Sequence, residues 1–390
     1  MKNVLLDVNY VYKKQNPSTY IKSLNQKNIN KLRNERKNLI QYGLNLPIEI
    51  FKNKSILDLG SGTGLYTLIY NLWGSNCTLV EYDKLSHEYS KNLFQKFKRK
   101  GSKNIFINSD IFKFKSKKKF DIVNCNGVLH HTSLKKDGIK LMISFLKKKG
   151  IILLGASVIS GFFQRNLQRL MIYSISKNEA EIYKNSKKFF KKHLSRASKV
   201  SGRSVDEIIS DTYLNPKIDS YDLKYIIRIF KKNKISMFSI YPRLNSVNDL
   251  EMEWKKKNMT KYSNESINFT NLKWFTRSTG NFSDKKTKLY YKNLNMLYSN
   301  LNDLSFKNKN KNFNSLNKTQ QYVAKLKKNK KINFDYFSYK INNFHNELEM
   351  LLILIKTKNL KQLKKFIKNS KYIFKGYSGL GMNYFVGIKE

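Results

Sequence analysis

ILDLGSGTG, residues 56–64, is an apolar run that ends in three glycines spaced two apart, in a chain with only 17 glycines among 390 residues. Each glycine has an assignable task. Gly60 lets the chain turn sharply off a strand, and Gly62 lets backbone approach a ligand with no Cβ in the way. Gly64 lets the following helix pack closely on a sheet. The start of that helix offers free N–H groups and partial positive charge to something negative. The turn alone does not say what, since nicotinamide dinucleotide sites use a similar one. Two residues separate the cases. The dinucleotide fingerprint wants Gly or Ala one position further on, where this chain has Leu65, and it tends to lack an acid inside the motif, where this chain has Asp58.

Outward from the turn, strand-like and helix-like segments alternate. SILDLG (55–60), CTLVEYD (77–83), NIFINSD (104–110), FDIVNCN (120–126) and IILLGAS (151–157) read as short apolar strands. Helices are expected over 65–73, 86–99 and 135–148, and a further amphipathic helix over 24–45 carries Ile29, Leu32, Leu39 and Ile40, with Pro47 after it. This alternation predicts an α/β fold, a doubly wound Rossmann-like parallel sheet with ligands at the strand carboxyl ends. IILLGASVISGFF (151–163) reads as a core strand running into a loop. Beyond residue 160, FFQRNLQRLMIYSI and EAEIYKNSKKFFKKHL read as helices on the lid side of the sheet. SYDLKYIIRIFKKNKISMFSIYP (220–242) is a helix-then-strand unit. Residues 250–375 are rich in lysine and asparagine, with a helical stretch over 344–368, and 300–335 is polar enough for a loop.

Four successive motifs give the chain, over roughly residues 45–245, the look of a class I S-adenosylmethionine-dependent methyltransferase. ILDLGSGTG resembles the family's first motif, in which the acid, here Asp58, helps hold the methionine end of the cofactor, with Gly60, Gly62 and Gly64 as its cradle. In LVEYD, Glu81 falls 17 residues after Gly64, where the family places the carboxylate that binds both ribose hydroxyls; Asp83 is the alternative ligand. Tyr82 would then lie against the adenine. NSDIF matches the third motif, with Asp110 accepting from the adenine amino group and Ile111 donating its backbone N–H; the competing role for Asp110 is a helix N-cap. FDIVNCNGVLHHTS is close to the pattern of the quinone-methylating and related small-molecule branch, with its LHH loop after the fourth strand.

The resemblance divides the chain into an N-terminal helical segment (1–45), a methyltransferase domain (46–245) with a helical lid at about 160–220, a long, mainly helical insertion (246–375) and a closing segment (376–390). The family's sheet has seven strands. ISMFSIY (235–241) is the expected sixth, and MNYFVGIK near the C-terminus, with Tyr384, Phe385, Val386 and Ile388, the expected antiparallel seventh.

Methyl transfer from a sulfonium is an in-line displacement at an activated carbon, so the protein must align the acceptor and remove a proton. The candidates after the fourth strand are Asn126, which also falls among the expected cofactor contacts, His130 and His131. A histidine titrates near neutral pH and suits a general base; the competing role for His130 is to orient its loop. His87, His193 and His345 stand alone, and no metal-ligand spacing occurs. No N/D-P-P-Y/F follows the fourth strand, which argues against methylation of exocyclic base amines of nucleic acid, and no Pro-Cys nucleophile of the type that attacks C6 of a pyrimidine occurs. SGRSVDEIISDTYLNPKIDSY (201–221) resembles a lid segment of bacterial methyltransferases with the LHH loop, and that resemblance brings Tyr213, Asn215 or Tyr221 to the acceptor. The expected acceptor is an O, N or C nucleophile of a small molecule, sugar or lipid-linked intermediate. An RNA methyltransferase and a non-catalytic scaffold are the alternatives.

The formal net charge of +49 bears on the RNA alternative. Residues 1–150 hold 29 basic and 10 acidic side chains, leaving 47 and 17 for residues 151–390, so the density is nearly even and no basic arm stands out. Of the 76 cations 66 are lysine, whereas nucleic-acid readers concentrate arginine. Compositional bias therefore explains the charge better than nucleic-acid binding. The longest uncharged run is too short and too polar to span a membrane, which leaves peripheral association open. The N-terminus lacks a signal-peptide pattern. Cys77 and Cys125 form no disulfide framework, Cys125 reading as a small buried filler, so a reducing, cytoplasmic setting is expected.

Overall fold

The computed structural model describes residues 25–215, 218–244, 336–374 and 382–390, together with 267, 270, 271, 317, 318 and 321. The expected loop over 300–335 and most of the insertion lie outside the described residues. The chain divides into two compact units, the first built from Met1–Ser157, Lys224–Arg243 and Met382–Glu390, the second from Val158–Leu223 and Leu244–Gly381.

In the first unit, the apolar runs make a seven-stranded sheet. Its strands are β1 (Ser55–Leu59), β2 (Asn76–Glu81), β3 (Ile105–Asn108), β4 (Phe120–Asn126), β5 (Leu146–Ser157), β6 (Ile235–Tyr241) and β7 (Met382–Lys389), in the order β3-β2-β1-β4-β5-β7-β6. β1 to β5 run parallel, while β7 lies antiparallel between β5 and β6. The strand order reverses outward from β1 and β4, so ligand chemistry belongs at their carboxyl ends. The seven-stranded Rossmann-like fold expected from the motifs is thus present.

α1 (Gln26–Asn38) begins with Asn25, whose side chain accepts from the Asn28 N–H, and continues into a π-helical turn, Leu39–Gly43. Ile29, Leu32 and Ile40 of α1 and its π turn share a core with Leu65, Leu68 and Ile69 of α2 (Leu65–Leu72), Leu93 and Phe94 of α3 (Lys84–Phe97), and Ile56, Ile122, Leu153 and Val386 of the sheet. α4 (Lys135–Ser144) precedes β5, and α8 (Leu223–Lys232) precedes β6.

In the second unit, α5 (Ile159–Ile175), α6 (Glu179–Ser201), α7 (Val205–Ile209), α9 (Tyr336–Lys356) and α10 (Leu360–Asn369) surround an apolar core that includes Phe163, Leu167, Leu170, Phe190, Tyr213, Leu348, Leu352 and Phe374.

Three boundaries differ from the reading of the sequence. The helix expected over 135–148 ends at Ser144, because β5 already starts at Leu146 and pairs Leu146 with Phe120; a register shift separates that pair from Ile122–Ile151. The strand then runs into α5, not into a loop: Val158 is extended, and the chain turns helical at Ile159. The single helix expected over 344–368 is two. The chain breaks at Lys358, whose φ of 52° lies in the left-handed region, and Asn359 recaps α10 by accepting from the Gln362 N–H.

Candidate functional site

The glycine turn leaves β1 with φ of +74° at Gly60, +55° at Gly62 and +72° at Gly64, conformations that a side chain resists. A Cβ on Gly60 would meet the Val128 side chain at 2.5 Å, so Gly60 also brings the β4 loop close. β1 and β2 are parallel neighbours, and this sets Glu81, at the end of β2, beside the turn. Its Oε2 accepts from the Gly62 N–H at 2.6 Å and its Oε1 from the Asp83 N–H at 2.9 Å. Asp83 caps α3 by accepting from the Ser86 N–H. Of the two rival acids, Glu81 therefore faces the glycines and Asp83 serves the helix. Burial pushes the Glu81 carboxyl above its ordinary range, against the pull of the Asp83 and Gly62 N–H groups. A carboxylate has about four acceptor positions, so two bonds leave it with capacity for a diol.

Asp58 sits deeper, fully inside the core. The Thr67 hydroxyl of α2 donates to its Oδ2, and Asn124 of β4 donates to its Oδ1 at 2.7 Å. Asn126 donates in turn to Asn124 Oδ1 at 2.7 Å. Burial pushes the Asp58 carboxyl upward, opposed by those two bonds and by the positive field of Arg36. Sheet register explains this row. Asp58 pairs with Asn124, Asn126 with Gly155, and Gly155 with Tyr384 of β7. A Cβ on Gly155 would lie 2.3 Å from Asn126 Oδ1, so glycine is what leaves room for the asparagine side chain.

Arg36 closes the row from α1. Its Nε donates to the Tyr70 hydroxyl at 3.0 Å and its Nη2 donates to the same oxygen. The guanidinium carbon lies 4.5 Å from the Tyr66 ring centre, 5.3 Å from that of Tyr70 and 5.8 Å from that of Tyr384. The sequence reading singled out only the apolar residues of this helix. The signal was present, since Arg36 falls four residues after Leu32 and four before Ile40, on the buried stripe.

At the third strand, Asp110 Oδ1 accepts from the Phe112 N–H at 2.8 Å, and the Asp110 carbonyl accepts from the N–H groups of Lys113 and Phe114. Ile111 is buried and Tyr82 half exposed. Asn108 donates to the carbonyls of Glu81 and Tyr82, tying the second motif to the third.

After β4, Gly127 adopts φ +76° and a short turn, Leu129–His131, carries both histidines with their rings 4.2 Å apart. His130 is buried, with Nδ1 accepting from the Ser157 N–H at 3.5 Å, a geometry that favours the tautomer protonated at Nε2. Burial, His131 and Lys135 hold it well below the ordinary histidine range, so it is neutral at physiological pH. His131 is half buried.

The remaining candidates lie in the second unit. Tyr213 is fully buried, its hydroxyl donating to Gln168 Oε1 at 2.8 Å, and Asn215 and Tyr221 are also buried. The Asn215 carbonyl accepts from Arg169, and Val158 pairs with Tyr221 in an isolated bridge. Among the described residues no cluster of three or more His, Cys, Asp or Glu could hold a metal, and no helix is long and apolar enough to cross a membrane.

The site fits a cofactor with a sugar diol and a charged amino-acid end. Ser61, within the glycine turn, has a buried hydroxyl oxygen that finds no partner among the described residues. Beside it stand a carboxylate with spare acceptor capacity, a second, buried acid, and three backbone positions where a side chain is disfavoured.

A model of the methyltransferase domain matches residues 50–266. A 101-residue stretch is 33% identical to malonyl-[acyl-carrier protein] O-methyltransferase 2 of Ilyobacter polytropus, covering 25% of this chain and 38% of that protein, so the chain spans well under half of this curated relative. Among solved structures, magnesium protoporphyrin IX methyltransferase of Synechocystis PCC 6803, with bound SAH, is similar over 60% of this chain and 91% of its own at 14% identity and a TM-score of 0.37. The N-methyltransferase NodS of Bradyrhizobium japonicum WM9, in complex with S-adenosyl-l-homocysteine, is similar over 34% and 63% at 14% identity and a TM-score of 0.28.

Proposed function

From a chain that belongs to the family of class I S-adenosylmethionine-dependent methyltransferases, we propose a working enzyme that moves the methyl group of S-adenosylmethionine to an oxygen or nitrogen nucleophile of a small molecule. The observation that carries this reading is the glycine turn with Glu81 folded against the Gly62 N–H and the Ser61 hydroxyl left without a partner among the described residues. Drift in a retired scaffold would not preserve three left-handed glycines, an aligned carboxylate and a matched row of asparagines together.

Bound S-adenosylmethionine supplies an activated methyl group on a sulfonium. Glu81 takes the ribose hydroxyls, Asp58 the cationic end of the methionine, and Asp110 with the Ile111 N–H the adenine, against which Tyr82 lies. Gly60 and Gly64 let the turn pack against Val128 and against Ser90 and Leu79, and Gly62 brings its backbone to the cofactor. Asn126, His130 and His131 line the methyl end at the carboxyl edge of β4. His130, neutral and bonded to the Ser157 N–H, fixes the loop, and His131 accepts the proton that an O–H or N–H acceptor must lose. The acceptor class is supported by the likeness to an O-methyltransferase acting on a malonyl group, which favours a carboxylate or hydroxyl oxygen of a small or carrier-linked molecule.

The test is calorimetric titration with S-adenosylhomocysteine, followed by transfer of labelled methyl to small-molecule and RNA fractions of a cell extract. Binding without any labelled small molecule, and with label in RNA, would replace the acceptor class. No binding at all would overturn the cofactor assignment.

A further inference from the structure

Arg36 is a cation buried in the protein core, and burying one is costly unless something compensates it. Among the described residues its neighbours are phenols: one hydroxyl oxygen that takes two of its N–H groups, and three rings that offer their faces. Tyrosine faces and a hydroxyl offset part of the lost hydration, but none carries a negative charge. Asp58, a buried acid that feels the field of Arg36, is bonded only by neutral donors among the described residues, a threonine hydroxyl and an asparagine amide, and its partner Thr67 lies on α2 between the Tyr66 and Tyr70 that hold Arg36.

The two charges are linked in the first unit by side-chain contacts, by neighbouring positions on α2 and by strand register. From Asp58 the link passes through Thr67 to α2, whose Tyr66 and Tyr70 hold Arg36. From Arg36 it passes to the Tyr384 ring, then by register through Gly155 to Asn126, and back through Asn124 to Asp58. The Phe51 ring stacks on Tyr70 at 4.7 Å with its plane 5° away, so the hydroxyl that takes the guanidinium is itself held. Every step of the link is buried or half buried.

We propose that Arg36 is a positioning residue for the cofactor site: locked by its tyrosines, it supplies the counter-charge that the hydrogen bonds of Asp58 lack and so keeps that side chain a carboxylate. This rests on the reading of Asp58 as the group that takes the cationic end of the cofactor. The other titratable groups that feel Asp58 are Tyr70, Cys77 and Cys125, and burial pushes all three upward, so they stay neutral near pH 7. Among the described residues, Arg36 is the cation whose field reaches Asp58, and it opposes the upward push of burial. Without it, the carboxyl would take up a proton at a higher pH.

The experiment measures S-adenosylhomocysteine affinity by calorimetry from about pH 6 to about pH 8 for the whole protein, Arg36→Lys and Arg36→Met. The wild type should be nearly flat. Arg36→Met should lose about tenfold in affinity toward the acid end, one unit of displaced titration, and Arg36→Lys should recover most of the flat profile. A purely structural role would lower affinity equally at every pH, and parallel curves for Arg36→Met and wild type overturn the proposal. A ligand-free arm separates this from failure of the cofactor assignment. The melting temperature of Arg36→Met should fall as pH rises, because the folded acid, its pKa raised, keeps a proton that the unfolded chain has lost. Adding Asp58→Asn should remove that slope and raise stability. If Arg36→Met does not fold, the double variant should, and a double variant that also fails to fold overturns the proposal. If the wild type binds no S-adenosylhomocysteine, the cofactor reading falls while the stability slopes still decide the role of Arg36.

Discussion

Two buried polar networks lie in this chain, one in each unit, and they are built differently. Around Asp58, bonds from Thr67 and Asn124 converge on a carboxylate, next to a glycine turn that holds a buried hydroxyl unpartnered among the described residues. Around Tyr213, donors end on neutral acceptors. The Tyr213 hydroxyl reaches Gln168 Oε1, Gln168 Nε2 lies 2.9 Å from His193 Nδ1, Tyr173 donates to the Tyr213 carbonyl at 2.5 Å, and Arg169 donates to the carbonyls of Thr212 and Asn215 at 3.1 and 3.2 Å. Both are fully polar and both are buried, so polarity inside a core does not by itself mark a ligand site. What marks one is a convergent acid beside a turn of left-handed glycines. The second network instead ties α5, α6 and the turn after α7 to one another, and its role follows from helix packing.

That contrast is tested most severely at the turn. Gly62→Arg places a long side chain on a residue at φ +55° whose N–H is committed to Glu81. S-adenosylhomocysteine binding should disappear from calorimetry, a loss of at least about a hundredfold, while the melting temperature moves little. A variant that binds normally would mean that the open backbone serves only the fold.

Acid should separate the two networks next. Burial lowers His193 to about 4 and His345 to about 3, both in the second unit. A histidine held neutral by the fold contributes stability that is complete above its unfolded value of about 6.5 and is lost as pH falls toward the folded value. For His193 this reaches about 3 kcal/mol once pH is below about 4. In the first unit His130 has the same sign, but Asp58 and Glu81, raised by burial, have the opposite one and offset it. Amide exchange between about pH 7 and about pH 5 should therefore show α5 and α6 losing protection before β1 and β4. Equal loss in both would erase the electrostatic half of the comparison.

Much of the first network could be read in the sequence, and little of the second. Asp58, the three glycines, Glu81 and Asn126 sit at strand ends, where period-two burial and short turns fix which residues converge. The β4 and β7 strands were legible for the same reason. Arg36 escaped notice because a charged residue on an amphipathic helix is ordinarily assigned to solvent, and only its helical phase gives it away. In the second unit, helix pairing decides which residues meet. Gln168 and Tyr213 are 45 positions apart and Gln168 and His193 are 25 apart, with no motif to announce either contact. Tyr213, Asn215 and Tyr221 stood out by resemblance to a lid segment, and all three are buried.

Smaller in effect is Glu81→Ala. It removes the acceptor for the Gly62 and Asp83 N–H groups together with the expected ribose ligand. The loss in S-adenosylhomocysteine affinity should be about 1.5–3 kcal/mol, the scale of charge-assisted hydrogen bonds. Asp83→Ala should cost less affinity and more helix stability, because its side chain caps α3. The reverse ranking would hand the ribose to Asp83.

The finest test is Tyr213→Phe, which changes one oxygen. The hydroxyl is buried and donates to Gln168 Oε1, and burial pushes the phenol up to about 12, so the group is a neutral donor throughout the working range. Phenylalanine keeps the ring packing near Phe190, whose centre lies 6.4 Å away, and leaves the Gln168 carbonyl one donor short. The cost should be about 1 kcal/mol in unfolding free energy, with S-adenosylhomocysteine affinity unchanged. Gln168 keeps its contact to His193, so Gln168→Leu paired with Tyr213→Phe should cost less than the two single changes added together, the mark of a shared bond. The kinetic readout then decides what the bond is for. If Tyr213→Phe lowers stability by that amount and leaves kcat and KM for the acceptor alone, the network is packing. If stability is untouched and KM for the acceptor rises several-fold, the hydroxyl addresses the substrate, and the second network is a binding site after all.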